Sequence, residues 1–169
     1  MCVGIFILKS WVIIMIKNDE YYMNKAIELA KKACTKDEVP VGALLVKDGK
    51  IIAKAYNLKE SHNNATHHAE ILVLNKAYKK LNSWRLQDTI LYVTLEPCMM
   101  CTGAIIQSRI SRVVFGAYDP KGGSIVSNIM IDNIKGFNHS FEYLGGVLEN
   151  ECSTLLKNYF KDKRKKSTL

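Results

Sequence analysis

Proline is scarce in this chain, with three residues in 169, and no low-complexity stretch or internal repeat interrupts it. That leaves no linker to divide it, and 169 residues are enough for one domain with a full core. Cysteine comes to five, an odd count at no framework spacing, which excludes a disulfide scaffold and favours a reducing cytoplasm. A long apolar run is missing too. The most apolar stretch, residues 1–16, is split by Lys9-Ser10, whereas a membrane-spanning helix needs roughly 20 predominantly apolar residues. It also lacks the leading positive charge and small-residue cleavage site of a signal peptide. No membrane association is expected. Residues 1–16 read as an apolar N-terminal extension, with 1–14 a misassigned start and Met15 opening a more ordinary one.

Acidic residues are the remaining shortage, 16 against 24 Lys and Arg, for a net charge of +8. Such an excess points to an anionic partner, nucleic acid before an anionic membrane surface. Evenly solvated lysine is the plain alternative.

The patterning that is present alternates. Residues 19–34 carry Tyr22, Ala26, Leu29, Ala30 and Ala33 at helical spacing. Ala43 to Val46 and Ile51 to Tyr56 flank Lys47-Asp48-Gly49-Lys50, whose Asp-Gly pair signals a hairpin. A helix over 68–80, a strand over 90–95, a helix over 98–108 and a strand over 112–118 follow. Residues 124–150 are weakly patterned, with a short strand over 141–144, and 151–166 make a last helix with a basic end. A hairpin followed by alternating helix and strand predicts an α/β fold, a three-layer α/β/α sandwich on a central mixed sheet.

The chemistry concentrates in Leu95-Glu96-Pro97-Cys98-Met99-Met100-Cys101. Two cysteines three positions apart put both sulfurs on one face of a helix's first turn. Proline suits that turn because its missing N–H would have no helical partner. The positive helix end favours thiolate. Upstream, His68 supplies a third ligand, and three protein ligands with one open position is the catalytic zinc pattern. Glu70, two residues on, can reach the same place only if His68 sits at the helix start. Glu70 would then move protons without ligating metal. His62, His67 and His139 read as solvated or hydrogen-bonded, and Cys2, Cys34 and Cys152 as apolar filler.

His68-Ala69-Glu70 with Pro97-Cys98-Met99-Met100-Cys101 matches the His-x-Glu…Pro-Cys-x-x-Cys signature of zinc-dependent nucleobase deaminases. With Val39-Pro40-Val41-Gly42-Ala43, Tyr56-Asn57, residues 108–116 and Asp119-Pro120-Lys121-Gly122-Gly123, the chain resembles the bacterial tRNA-specific adenosine deaminases over roughly 20–166. It departs from their pattern at His67, where alanine is frequent, and at Ala65, where proline is common. The resemblance implies a cytidine-deaminase-like fold and a homodimer over residues 17–169. It also implies hydrolysis of the wobble adenosine of a tRNA anticodon stem-loop to inosine. By position, His68, Cys98 and Cys101 would hold one zinc per subunit and Glu70 would shuttle protons. Asn57, the Ala69 backbone and Val39 would meet the flipped nucleoside. Phe160, beside the run Lys163-Arg164-Lys165-Lys166, would stack on an unpaired base.

Two other readings stay open at this point. A salvage deaminase acting on free guanine, cytosine or cytidine would use the same zinc core without needing a basic tail. A non-catalytic zinc-stabilised nucleic-acid module would need neither Glu70 nor an open fourth position.

Overall fold

Asp48 and Gly49 both take positive φ, 49° and 69°, the type I′ geometry whose twist matches that of paired strands. That turn joins β1 (Gly42–Lys47) to β2 (Lys50–Tyr56) as the antiparallel hairpin the sequence predicts. The computed structural model describes residues 3–166, with side chains from residue 18 onward. Around the hairpin stand α1 (Val3–Cys34), α2 (Ala69–Leu81), β3 (Thr89–Leu95), α3 (Met99–Gln107), β4 (Arg112–Ala117), β5 (Glu142–Leu144) and α4 (Glu149–Lys166). The strands form one sheet in the order β2-β1-β3-β4-β5. β1 runs antiparallel to β2 and β3, while β3, β4 and β5 are parallel, so the sheet is mixed as expected.

Strand alternation assigns side chains to two cores. Leu45, Leu91, Val93, Val113 and Phe115 face one way, onto Val73, Leu74 and Ala77 of α2 and Ile105 of α3. Leu44, Val46, Tyr92 and Val114 face the other, onto Met23, Ala26 and Ile27 of α1 and Cys152 of α4. The three layers are therefore α2/α3, sheet, and α1/α4. Fully burying each such aliphatic side chain is worth about 1.5–3 kcal/mol. Gly42 lets α1 come closest to the sheet, since a Cβ there would run into the Ala26 carbonyl and the Ala30 amide.

Helix α1 starts at Val3, well before the expected residue 19, because no proline removes a backbone donor from the intervening turns. A buried polar triad fixes it to the sheet. Asp19, 3% exposed, accepts the Tyr92 hydroxyl at 2.8 Å and both Arg112 guanidinium nitrogens at 3.0 and 2.9 Å. Burial first, and the neighbouring Asp19 carboxylate second, push the Tyr92 hydroxyl well above the usual phenol range. Among the described residues, no helix is long and apolar enough to cross a membrane.

Candidate active site

The starts of α2 and α3 converge beyond the end of β3. His68 caps α2 with extended backbone, φ −68° and ψ 154°, and Cys98 caps α3 likewise, φ −75° and ψ 170°. Neither side chain is spent on capping its own helix, so imidazole and thiol can turn toward each other. Spacing alone puts Pro97 inside the first turn of α3. The structure puts it outside, one position before the cap, where its carbonyl accepts the Ser124 amide at 3.0 Å and the Ser124 hydroxyl at 3.1 Å. An extended cap residue is what aims Cys98 at His68, and this displaces the proline by one.

The result is a triangle of donors. His68 Nδ1 lies 3.7 Å from Cys98 Sγ and 3.6 Å from Cys101 Sγ, and all three donor atoms fall within 4.8 Å of one another. Tetrahedral zinc, with bonds of about 2.3 Å to sulfur and about 2.0 Å to nitrogen, separates such N and S atoms by about 3.5 Å. The donor set and its spacing fit zinc, and among the described residues no fourth His, Cys, Asp or Glu joins the group. The hydrogen bond from Cys101 holds the Cys98 thiol at about 4, with His68 assisting against Cys98's own burial. The same bond, together with burial, pushes the Cys101 thiol up. Cys98 as partner raises His68 in turn.

Glu70 sits in the first turn of α2, 4% exposed, where the helix dipole favours a carboxylate. Burial nonetheless pushes its carboxyl above the usual range. With His68 at the cap, both side chains open into one cavity of about 180 Å³, as the geometry requires. Val39, Asn57, Cys98 and Asp119 are among the other residues of its wall. Ala69 is fully buried in the core under α2, and its side chain is not part of that wall.

Phe160 lies outside the cavity, in a neighbouring groove of about 740 Å³ that shares Val39, Leu95 and Asp119 with it. The ring is 44% exposed. Tyr118, Lys121, Lys157 and Arg164 line the same groove. The basic end of α4 is helical to Lys166, and Lys163 is tied to Asp37 at 2.6 Å. The other histidines are hydrogen-bonded as expected, His62 Nδ1 to His67 Nδ1 at 2.8 Å and His139 Nε2 to the Ile110 carbonyl at 2.7 Å. Cys152 is buried and Cys34 half-buried, while Cys2 lies outside the described residues.

Two carboxylates escape the sequence reading. Glu96 accepts the amides of Asp119, Ile125, Val126 and Ser127 at 3.1, 3.1, 2.8 and 2.9 Å, and the Ser127 hydroxyl as well. It thereby clips the 119–127 loop onto the segment that carries Cys98. A Cβ on Gly123 would run into that carboxylate. Glu38, fully buried, accepts the Asn57 amide and two backbone N–H groups. Nothing in the spacing points to either, because their partners are mostly backbone amides brought in by the fold.

A family model for MafB19-like deaminases matches residues 17–164. The tRNA-specific adenosine deaminase of Bacillus subtilis (strain 168) is 51% identical over 148 residues, 88% of this chain and 92% of its own. The chain belongs to the tRNA-specific adenosine deaminase family. That of Haemophilus influenzae is 45% identical over 152 residues, covering 89% of this deaminase and 88% of its own length. A solved structure of a tRNA:A34 deaminase, studied for A-to-I editing at the wobble position of transfer RNA, superposes with a TM-score of 0.78. Its identity to this chain is 41%, over 80% of this deaminase and 99% of that chain.

Proposed function

We propose that this deaminase hydrolyses the wobble adenosine of a tRNA anticodon to inosine and ammonia, working as a cytoplasmic homodimer with one zinc per subunit. The observation that carries the reading is the convergence of His68 Nδ1, Cys98 Sγ and Cys101 Sγ within 4.8 Å of one another, at the edge of a cavity that His68, Cys98 and the buried Glu70 line. Residues 17–169 are the deaminase domain on this reading, and 1–16 are an N-terminal extension whose described part is continuous with α1.

His68, Cys98 and Cys101 would hold the zinc, and two thiolates with a neutral imidazole leave no net charge on the metal and one position open. A bound zinc supplies a water acidic enough to give up a proton near neutrality. Glu70 does the proton work. Its carboxylate would accept a proton from the attacking water and deliver it to the purine ring nitrogen beside the amine-bearing carbon, making that carbon electrophilic as the water oxygen bonds to it. It would then take the remaining proton from that oxygen and pass it to the amine, so that the C–N bond breaks to release ammonia as the carbonyl of inosine forms. A carboxyl raised by burial suits a group that must hold a proton between these transfers.

Val39 and Asn57 line the space open to the base, and on this reading the Ala69 backbone would lie along the base. The cavity takes little more than one nucleobase. The adjoining groove, with Phe160 beside Lys121, Lys157 and Arg164, suits the neighbouring nucleotides of a single strand. A free base or nucleoside would leave that groove unused, which favours the RNA substrate over a salvage role.

The test is inosine formation in an anticodon stem-loop bearing wobble adenosine, with free adenosine, cytidine and guanine in parallel. Inosine in the stem-loop with silent free compounds supports the reading. Turnover of a free compound with silent RNA overturns the substrate and keeps the zinc site.

A further inference from the structure

Glu38 lies in the turn between α1 and β1 and is fully buried, yet it does not line the cavity. Its Oε2 accepts Asn57 Nδ2 at 3.0 Å and the Glu60 amide at 3.2 Å, and its Oε1 accepts the Ser61 amide at 2.6 Å. Asn57 lines the cavity with His68 and Glu70, and its own backbone N–H is fixed on the Val41 carbonyl at 2.9 Å. An asparagine amide has a donor end and an acceptor end of nearly equal shape, and nothing intrinsic decides which one faces a ligand. A carboxylate can only accept. Asn57 must therefore commit one N–H of its NH₂ to Glu38, which turns that end of the amide toward the carboxylate and frees Oδ1 for another donor.

We propose that Glu38 is a positioning residue that fixes the Asn57 amide so that an acceptor, Oδ1, meets the substrate. Glu38 itself touches no substrate and acts through Asn57. The ligand group selected is a donor: a ring or exocyclic N–H of the base, or a ribose hydroxyl. The same carboxylate hangs the loop after Asn57 by its Glu60 and Ser61 amides, so the aim of the side chain and the seat of its backbone share one support. The inference rests on the reading of Asn57 as a substrate contact.

The substitution Glu38→Gln separates this from a merely structural role. The introduced glutamine keeps its oxygen on the Ser61 amide, the shortest of the three contacts and one whose N–H cannot reverse. Its NH₂ then faces Asn57, which flips and shows its own NH₂ to the substrate. Adding Asn57→Asp to Glu38→Gln restores the polarity. One oxygen of the introduced carboxylate accepts from the introduced amide, and the other is an acceptor in the cavity.

The experiment compares kcat/KM on the wobble-adenosine stem-loop for Asn57→Ala, Glu38→Gln, Asn57→Asp and the double variant Glu38→Gln/Asn57→Asp. Zinc content and melting temperature are measured for each. A mis-aimed donor in a desolvated site lowers kcat/KM by about tenfold to a hundredfold in Glu38→Gln. Asn57→Asp falls at least as far, since it sets two carboxylates face to face. The double variant recovers to about ten times the Asn57→Asp value, the coupling expected of directly contacting partners. Glutamine alone can also loosen the 57–61 loop, so the deciding comparison is Asn57→Asp against the double variant. A double variant no faster than Asn57→Asp overturns the role of Glu38 while Asn57→Ala remains impaired. Native kcat/KM in Asn57→Ala instead overturns the reading of Asn57 on which that role rests.

Discussion

Replacing Glu96 by glutamine removes half a charge from each of two busy oxygens without changing shape. In the native site Oε1 takes the amides of Ile125, Val126 and Ser127, and Oε2 takes the Asp119 amide and the Ser127 hydroxyl. A glutamine keeps its oxygen on the three amides and places NH₂ at the second position. The Ser127 hydroxyl can reverse and accept, but the Asp119 N–H cannot. One orphaned amide costs about 1–3 kcal/mol, and loss of charge assistance on the remaining bonds adds roughly 1 kcal/mol. For a chain of this size each kcal/mol is worth about 2–4 °C, so zinc-saturated Glu96→Gln should melt about 4–16 °C below native near neutral pH. The pH dependence adds a second check. Burial works to raise the Glu96 carboxyl, but the Ser127 hydroxyl and the three amides of Val126, Ser127 and Asp119 outweigh it, so the folded value lies below the reference 4.5. A depressed carboxyl contributes its full stabilisation above its unfolded value and loses it as pH falls through the folded one. The gap between native and Glu96→Gln should therefore close in acid. A variant melting within about 1 °C of native near neutrality, or a gap that persists once the native carboxyl is protonated, would refute the reasoning.

Three further predictions address the chemistry. Glu70→Gln should lower the rate of inosine formation by about a hundredfold to ten-thousandfold with unchanged zinc content, and activity near native would remove Glu70 from proton transfer. Treating the zinc-loaded protein with a chelator should abolish turnover and add one reactive thiol, the half-buried Cys98, to the count by a thiol reagent, while Cys101 stays shielded by its burial. Cys152, 1% exposed and pushed by burial to about 12, should stay silent until the chain unfolds; an unchanged thiol count would argue against metal on the pair. Phe160→Ala should weaken stem-loop binding by about 1–3 kcal/mol, the worth of one stacked base. Because the ring is 44% exposed, the melting temperature should hardly move, and unaltered RNA affinity would return Phe160 to a passive surface role.

The closeness of His68, Cys98 and Cys101, and of Glu70 to them, is legible in the sequence because metal chemistry restricts residue type and spacing together. Few sequences place His68 before a glutamate and then Cys98 and Cys101 after a strand without such a purpose. The hairpin is legible because Asp48-Gly49 has few other uses between two apolar runs. The buried carboxylates are not, because their partners are backbone amides that every residue carries. Glu38 finds Ser61 and Glu96 finds Ser127 only through the fold. The early start of α1 is hidden because Lys9-Ser10 looks like a break, although neither residue costs the helix a backbone donor. Pro97 shifts by one position because spacing says which turn a residue occupies, and only the His68 contact says which residue caps it.

The Asp19 triad carries a consequence in time. Its partners lie 73 residues away at Tyr92 and 93 residues away at Arg112. Closing so long a loop is entropically slow, and contacts of this separation come late in folding. Until β4 joins the sheet, seating α1 would bury an uncompensated carboxylate, so the first helix made is among the last to dock. During synthesis the apolar face of α1 around Met23, Ala26 and Ile27 must wait in the open for Arg112 to leave the ribosome. Nascent chains arrested before β4 should expose α1 to protease, and chains arrested well beyond it should protect it. Protection at the shorter length would show that α1 docks without its ion pair.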